Sequence, residues 1–147
     1  MNFQLTYKSK ATPGVTNDTI KEILKSARRN NAVNKISGCL VFLENHFIQI
    51  LEGDKELVKD LFETIKQDSR HSDIELLCWD DSDERLFNSW GMLYFDNQDL
   101  QSSDLSEEEF KLNLLLLETL SKPKSASEIK FWKAIKDLLI TSGQITN

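Results

Sequence analysis

The chain has 147 residues, of which 39% are hydrophobic and 29% are charged, and its formal net charge is −6. This length and composition predict one soluble globular domain with at most a small appendage. The acidic balance argues against a nucleic-acid partner, and with no apolar run near the ~20 residues that cross a bilayer we expect no membrane partner. The N-terminus lacks a basic segment followed by an apolar one, so we expect a cytoplasmic protein.

The first third of the chain predicts a strand, a helix and a second strand. Polar and apolar residues alternate over 2–8, which is typical of a half-buried strand. Thr16 or Asn17 can cap a helix that we expect to end near Asn30 or Asn31. Residues 36–43 predict the second strand. The apolar stripe of the helix is Ile20, Ile23, Leu24 and Ala27.

The middle third predicts a hairpin, a second helix and two more strands. Residues 44–46 form the expected hairpin turn into a strand over 47–51. Residues 53 and 54 then open a helix, and strands are expected over 74–79 and 90–95. The apolar stripe of this helix is Leu57, Val58, Leu61, Phe62 and Ile65.

The resulting order is β-α-β-β-α-β with one added strand, which predicts an α+β, ferredoxin-like fold with both helices on one face of a mixed sheet. By alternation, Tyr7 and Gln49 should both point into the space between sheet and helices. Trp90 and Met92, two residues apart, should share a face.

The remaining residues, 97–147, predict a C-terminal helical pair. A polar loop over 97–104 precedes a helix that begins near Ser106, is apolar around most of its circumference and ends before Pro123. A last helix is expected over about 125–140. The leucine face at 112–120 exceeds what one sheet face needs, so we expect a homo-oligomer.

Gln49 is an uncharged amide within an apolar strand. A buried carboxamide without partners costs about 1–3 kcal/mol, so another group must bond to it. Nearby backbone could do so, or the amide could relay hydrogen bonds to a polar ligand. The strand alone leaves both interpretations open.

Common catalytic and metal motifs are missing from the sequence. His46 and His71 are the only histidines, and no cysteine or carboxylate stands beside them at ligand spacing, so we expect no metal site. Cys39 and Cys78 are expected to be buried free thiols. No GxSxG, GxGxxG or Walker pattern occurs. An acylphosphatase-type enzyme shares the element order, but the loop after the first strand lacks the glycines of an anion cradle.

Two polar clusters have either a structural or a functional explanation. Asp68-Ser69-Arg70-His71 at the end of the second helix could be a helix C-terminus with favourable cations, or a clamp for a charged or ribitol-like ligand tail. Asn30-Asn31 could likewise be a simple C-cap.

Taken together, these segments resemble the BLUF family, the blue-light sensors that bind FAD. The resemblance covers about residues 3–95, a domain we place at 3–96, followed by a C-terminal extension at 97–147. The matching segments stand in the family's order and spacing: Leu5-Thr6-Tyr7-Lys8-Ser9, Arg29-Asn30-Asn31, Ile36-Ser37-Gly38, residues 47–53, Asp68-Ser69-Arg70-His71 and residues 85–92.

The resemblance implies a role for each matched residue. Tyr7 would give an electron and a proton to the excited flavin, and Gln49 would bridge Tyr7 and the flavin, then rotate or tautomerise. Trp90 and Met92 would pass the signal onward from the fifth strand. The residues implied to hold the cofactor, besides Gln49, are Asn31 at the ring edge, Ile23 and Ile65 on the two ring faces, and Asp68, Arg70, His71, Asn30 and Arg29 at the ribityl and phosphate end.

The tail resembles the helical extension of short stand-alone members of the family. Because no cyclase or phosphodiesterase domain follows, we expect a stand-alone photoreceptor that is not an enzyme and that signals to an unidentified downstream protein through the C-terminal helices. Thr64 stands where some relatives carry a basic residue near the phosphates, which leaves FMN or riboflavin as substitutes for FAD. Ser37 replaces a threonine of many relatives. Besides the acylphosphatase-type enzyme, a flavin-free interaction module remains the alternative.

Overall fold

A computed structural model describes residues 2–83, 85, 87, 93–96 and 125–141 of the chain. Side chains are described for these residues except 93–96 and 139–141. The elements are β1 (Asn2–Ala11), α1 (Asn17–Asn34), β2 (Ser37–Leu43), β3 (His46–Gly53), α2 (Lys55–Lys66), β4 (His71–Ser82), β5 (Leu93–Asp96) and α3 (Ala126–Thr141).

The five strands form one sheet in the order β4-β1-β3-β2-β5. β3 lies between β1 and β2 and is antiparallel to both, while β5 is added parallel to β2. This is a split βαβ arrangement, so the predicted ferredoxin-like fold with a fifth strand is confirmed. β2 and β3 are joined by the expected hairpin turn, in which Glu44 and Asn45 both have positive φ, at 50° and 61°.

α1 begins as predicted but runs longer. The Thr16 hydroxyl accepts a hydrogen bond from the backbone N–H of Thr19, which caps the first turn. The expected end near Asn30 or Asn31 is wrong, because the helix continues to Asn34. It stops where Lys35 adopts the left-handed conformation and the N–H groups of Lys35 and Ile36 both bond to the carbonyl of Asn31.

α2 starts at the Asp54 side chain, which accepts a hydrogen bond from the N–H of Leu57 at 3.2 Å. The predicted stripe faces the sheet through Val58 and Phe62, both buried. Leu57 does not belong to the buried stripe, since it is 38% exposed in the first turn of the helix.

The sheet packs on both faces. α1 and α2 cover one face, which we call the cleft face, and α3 covers the opposite face, which we call the reverse face. The cleft-face core includes Phe3, Leu5, Leu40, Phe47, Leu51 and Phe62. The reverse-face core includes Cys39, Val41, Ile48, Ile50, Phe131 and Ile135.

α3 corresponds to the predicted last helix, while the helix expected from Ser106 to residue 120 lies outside the described residues. Trp90 and Met92 lie outside them as well, so the predicted domain boundary at residue 96 stays a prediction. Cys39 and Cys78 are both free thiols, but only Cys39 is fully buried. No helix in the described ranges is long and apolar enough to cross a membrane.

Candidate functional site

A cleft with a volume of about 150 Å³ opens between α1, α2 and the cleft face of the sheet. Its two walls are helical and its floor is the sheet. From α1 come Ile23, Ser26, Ala27, Asn30 and Asn31; from α2 and the turn after it come Leu61, Thr64, Ile65, Asp68 and Arg70; from the strands come Tyr7, Leu40, Phe47, Gln49 and His71.

The floor is built around one polar pair. Tyr7 on β1 and Gln49 on β3 are direct cross-strand neighbours, so their side chains rise from the same face side by side. The Tyr7 hydroxyl donates a hydrogen bond to Oε1 of Gln49. Gln49 is only 5% exposed and Leu40 is its partner on β2. The Gln49 amide therefore bonds to a side chain, and hydrogen bonding to nearby backbone alone does not explain its burial.

Tyr7 is held in its protonated form by its surroundings. Burial raises the pKa of its phenol well above the ordinary value of 10, and the negative charge of Asp68 raises it further. The Phe62 ring of α2 packs against the Tyr7 ring with centroids 5.5 Å apart. Tyr7 can thus hold a proton firmly at its hydroxyl and direct it at Gln49.

His71 fixes the corner of the cleft next to Tyr7. Its Nε2–H donates to the carbonyl of Ile65 at 2.6 Å, and Nδ1 shares a 2.8 Å hydrogen bond with the Ser9 hydroxyl. Because a carbonyl can only accept, the bond to Ile65 puts a proton on Nε2. The ring also meets the Tyr7 ring edge-on at 6.2 Å. His71, the first residue of β4, therefore connects β4 to β1 and to the end of α2.

The charged end of the cleft is a turn that is held by hydrogen bonds between Asp68 and Arg70. The carboxylate of Asp68 accepts hydrogen bonds from the backbone N–H of Arg70 at 3.0 Å and from its guanidinium Nε at 2.9 Å. The Arg70 hydrogen bond lowers the pKa of Asp68 below its usual 3.8. Helix α2 ends at Lys66, so the cluster lies in the turn after the helix and at the start of β4.

The predicted cofactor-binding and signal-passing residues fall into three groups. Ile23, Asn30, Asn31, Gln49, Ile65, Asp68, Arg70 and His71 all line the cleft. Arg29 is exposed on α1 and is not among the lining residues, so its contact with a cofactor stays a prediction. Trp90 and Met92 cannot be placed, because they lie outside the described residues.

Sequence reasoning missed several residues of the site. Ser9 lies in the matched segment Leu5–Ser9 without an implied role, although its hydroxyl forms a hydrogen bond with His71. Its position two residues after Tyr7, and hence on the same strand face, was the available signal. Ser26 and Ala27 line the α1 wall with Ile23, and spacing of three and four residues along a helix places all three on one side.

Comparison with known proteins decides the family. The sequence model of BLUF, described as sensors of blue-light using FAD, matches residues 3–93. The chain belongs to the BLUF family. Membership confirms the predicted flavin cofactor, and it gives no support to the acylphosphatase-type enzyme or the flavin-free module.

Two relatives show the range of proteins that carry this domain. The blue light- and temperature-regulated antirepressor BluF of Escherichia coli (strain K12) is 44% identical over 78 residues, 52% of this chain and 19% of that protein. The photoactivated adenylate cyclase subunit beta of Euglena gracilis is 36% identical over 85 residues, 58% of this chain and 10% of that protein. The chain thus matches less than a fifth of the length of either relative.

Solved BLUF structures share the fold over most of the chain. BlsA in its photo-activated state is 34% identical with a TM-score of 0.66, over 95% of this chain and 96% of that one. Klebsiella pneumoniae BlrP1 with FMN and cyclic diGMP is 26% identical with a TM-score of 0.70, over 97% of this chain and 35% of that one.

The apolar and hydrogen-bonding side chains that line the cleft are of the types that a flavin needs. A planar, mostly apolar ring requires apolar walls, which Ile23 and Ile65 provide from opposite helices. Its polar edge requires hydrogen-bonding groups, which the amides of Gln49 and Asn31 provide. A negatively charged tail would meet the guanidinium of Arg70 at the outer end.

Proposed function

We propose that this chain is a blue-light photoreceptor whose photoactive unit is the pair Tyr7 and Gln49. One observation carries the proposal: the Tyr7 hydroxyl donates a hydrogen bond to the Gln49 amide on the floor of a cleft with apolar helical walls. A cofactor bound there would adjoin a phenol and an amide that are already connected.

When bound, the flavin supplies absorption of blue light and a site that accepts an electron. Tyr7 keeps its proton in the dark, because burial and Asp68 raise its pKa. Its hydroxyl holds the oxygen end of the Gln49 amide toward β1. If Tyr7 loses an electron, its phenol becomes a strong acid, and the proton lies directly on the hydrogen bond to Oε1 of Gln49.

Gln49 then converts the event into a lasting change. An amide has a donor end and an acceptor end, so rotation or tautomerisation reverses which group it presents to each neighbour. The new pattern changes the hydrogen bonds at the cleft floor without any covalent bond to the protein. This change would produce a small, reversible red shift of the absorption band.

The other cleft residues orient and shield the cofactor. Ile23 and Ile65 would contact the two ring faces, and Asn31 would bond the ring edge. Asp68 would act chiefly by ordering Arg70, since its carboxylate already binds that guanidinium. His71 would act chiefly by fixing the wall beside Tyr7. Trp90 and Met92 keep their predicted role in passing the signal on from the fifth strand.

The test compares absorption spectra of the purified holoprotein in darkness and under blue light. Wild type should be yellow, shift slightly to the red and relax in darkness. Tyr7→Phe and Gln49→Leu should both retain flavin and lose the normal shift, because each removes one partner of the hydrogen bond. Gln67→Leu is the matched control: this amide is exposed just after α2, and its loss should leave the shift unchanged. A normal shift in Gln49→Leu would refute the relay.

We further infer that the BLUF portion has no catalytic activity of its own and passes its signal to a partner protein by contact. The relatives named above are an antirepressor and a cyclase subunit, so one sensor serves different outputs. A homo-oligomer and a cytoplasmic location are part of the same proposal. Light-scattering measurements of the holoprotein in darkness and in light would test the oligomer, and a monomer in both states would contradict it.

A further inference from the structure

The reverse face of the sheet carries a buried carboxamide of its own. Gln4 lies on β1, is 0% exposed, and makes three side-chain hydrogen bonds. Its Oε1 accepts from the Ser125 hydroxyl at 2.5 Å, and its Nε2 donates to carboxylates of Glu128 at 2.7 Å and Glu52 at 3.0 Å. Both N–H groups and the carbonyl of this amide are therefore engaged.

Two of these partners lie at the start of α3, Ser125 just before the helix and Glu128 in its first turn. Ser125 and Glu128 are spaced as in an S-x-x-E capping box, and the Ser125 hydroxyl accepts the backbone N–H of Glu128 at 3.0 Å. The same two side chains bind opposite ends of the Gln4 amide. Thr6, the next reverse-face residue of β1, bonds the carbonyl of Ser127 at 3.1 Å. The start of α3 is thus docked on β1 by side chains from both elements.

The third partner connects this contact to the strand of Gln49. Glu52 lies three residues after Gln49 on β3, and alternation puts the two side chains on opposite faces. The Glu52 carboxylate is completely buried and also accepts from the Ser37 hydroxyl at 2.9 Å and from the backbone N–H of Phe87 at 2.5 Å. Phe87 precedes β5 in the chain. Glu52 therefore joins β1, β2, β3 and the segment that leads to β5.

Such a network does not deform gradually. A buried polar group that loses its partner costs about 1–3 kcal/mol, so a shift of β3 must either carry its partners along or break a bond outright. We propose that Gln4 and Glu52 couple the photoactive site to α3, so that a light-driven movement of β3 repositions the start of that helix. The proposal rests on the proposed function, because it requires a light-dependent change at Gln49.

The experiment measures hydrogen–deuterium exchange of residues 126–141 in the holoprotein, in darkness and under blue light, alongside the absorption spectrum. In wild type, light should change the rate of hydrogen–deuterium exchange in the first turns of α3 by at least about fivefold, which is the lower end of typical coupling between two sites. Glu128→Ala removes the acceptor for Gln4, and Glu128→Gln keeps an acceptor oxygen at the same place. Asp137→Ala is the control, since this exposed carboxylate lies on the same helix and pairs with the exposed Lys133.

The proposal predicts that Glu128→Ala keeps the red shift and loses the light-dependent exchange difference, while Glu128→Gln and Asp137→Ala keep both. If Glu128→Ala does not fold, Ser125→Ala serves in its place, because it deletes one hydroxyl from a half-buried position. A difference that persists without the Gln4 contact would overturn the proposal, as would a wild-type red shift with no change in α3. A wild type that shows no red shift would instead refute the proposed photoreceptor function itself.

Discussion

The two faces of the sheet use a buried amide in opposite ways. On the cleft face, the Gln49 amide meets Tyr7 beside an open cavity. On the reverse face, the Gln4 amide is surrounded by Ser125, Glu128 and Glu52 and covered by α3. The two residues lie on neighbouring strands of one sheet, so the local backbone does not account for the difference.

The difference arises from what covers each face. The walls of α1 and α2 are lined by short or half-buried side chains near the cleft, such as Ser26 and Ala27, which leave space above the amide. α3 instead inserts large rings, Phe131 and Trp132, that are 0% and 2% exposed. The cleft face can therefore exchange hydrogen bonds with a ligand, whereas the reverse face can change only by moving a whole element.

The sharpest way to test this contrast is to delete one polar side chain from each face. Glu52→Ala removes the acceptor of three buried hydrogen-bond donors, which are the side chains of Gln4 and Ser37 and the backbone N–H of Phe87. Each lost hydrogen bond costs about 1–3 kcal/mol, so the free energy of unfolding should fall by at least about 3 kcal/mol. Gln49→Ala leaves the Tyr7 hydroxyl beside a cavity that water can enter and should cost only about 1 kcal/mol. Urea unfolding of both variants measures the difference, and equal losses would show that the faces are equally tolerant.

The sequence predicted the cleft face well because its signals are local. Alternation along β1 and β3 was sufficient to place Tyr7 and Gln49 on the face that the two helices cover. Helical spacing did the same for Ile23 and Ile65. The family resemblance then identified these four as a set, although alternation and spacing alone could not have assigned a flavin to them.

The reverse-face network escaped prediction because its members are far apart in the chain. Gln4 and Glu128 are separated by 124 residues, and no periodicity connects them. Glu52 is a charged residue near the end of β3, and the sequence alone favours solvent exposure for such a residue. The end of α1 was misplaced for a different reason: Lys35 takes a left-handed conformation that favours glycine or asparagine, so its residue type gave no stop signal.

Substitution of Gly38 tests whether both faces of the sheet depend on the close backbone contact between β2 and β3. A Cβ at this position of β2 would lie 2.1 Å from the carbonyl oxygen of Ile50, so Gly38→Ala must push β2 and β3 apart. We expect a loss of about 2–3 kcal/mol in the free energy of unfolding, together with weaker flavin retention. Gly14→Ala is the comparison, because it meets no atom within 4 Å and should cost about 1 kcal/mol through its positive φ alone. Wild-type stability in Gly38→Ala would refute the close contact.

Tyr7 offers a pH test that concerns the cleft face alone. Because burial raises its pKa above 10, Tyr7 should remain protonated when an exposed phenol ionises, and the stability it contributes should be lost only as pH rises above 10. The chemical shift of a ¹³C label at tyrosine Cζ reports protonation directly. The chain has two tyrosines, so the resonance of Tyr7 is assigned with the variant Tyr94→Phe. Titration of Tyr7 at or below pH 10 would contradict the effect of burial on its pKa.

The smallest effect is expected at the outer end of the cleft, where Asp68 pairs with Arg70. The Arg70 hydrogen bond lowers the pKa of Asp68, so the pair stabilises the fold above the ordinary pKa of 3.8 and loses that contribution as pH falls through the depressed value. The Arg70 side chain is 37% exposed, and solvent screening keeps the contribution below about 1 kcal/mol. Asp68→Asn should therefore show a free energy of unfolding that depends less on pH below 3.8 than that of the wild type. Glu63→Gln, in an exposed pair with Lys66, is the matched control and should leave the pH dependence close to wild type. A loss of several kcal/mol in the free energy of unfolding of Asp68→Asn at neutral pH would show that this turn is as closed to solvent as the reverse face. The contrast between the two faces would then hold only for the part of the cleft around Tyr7 and Gln49.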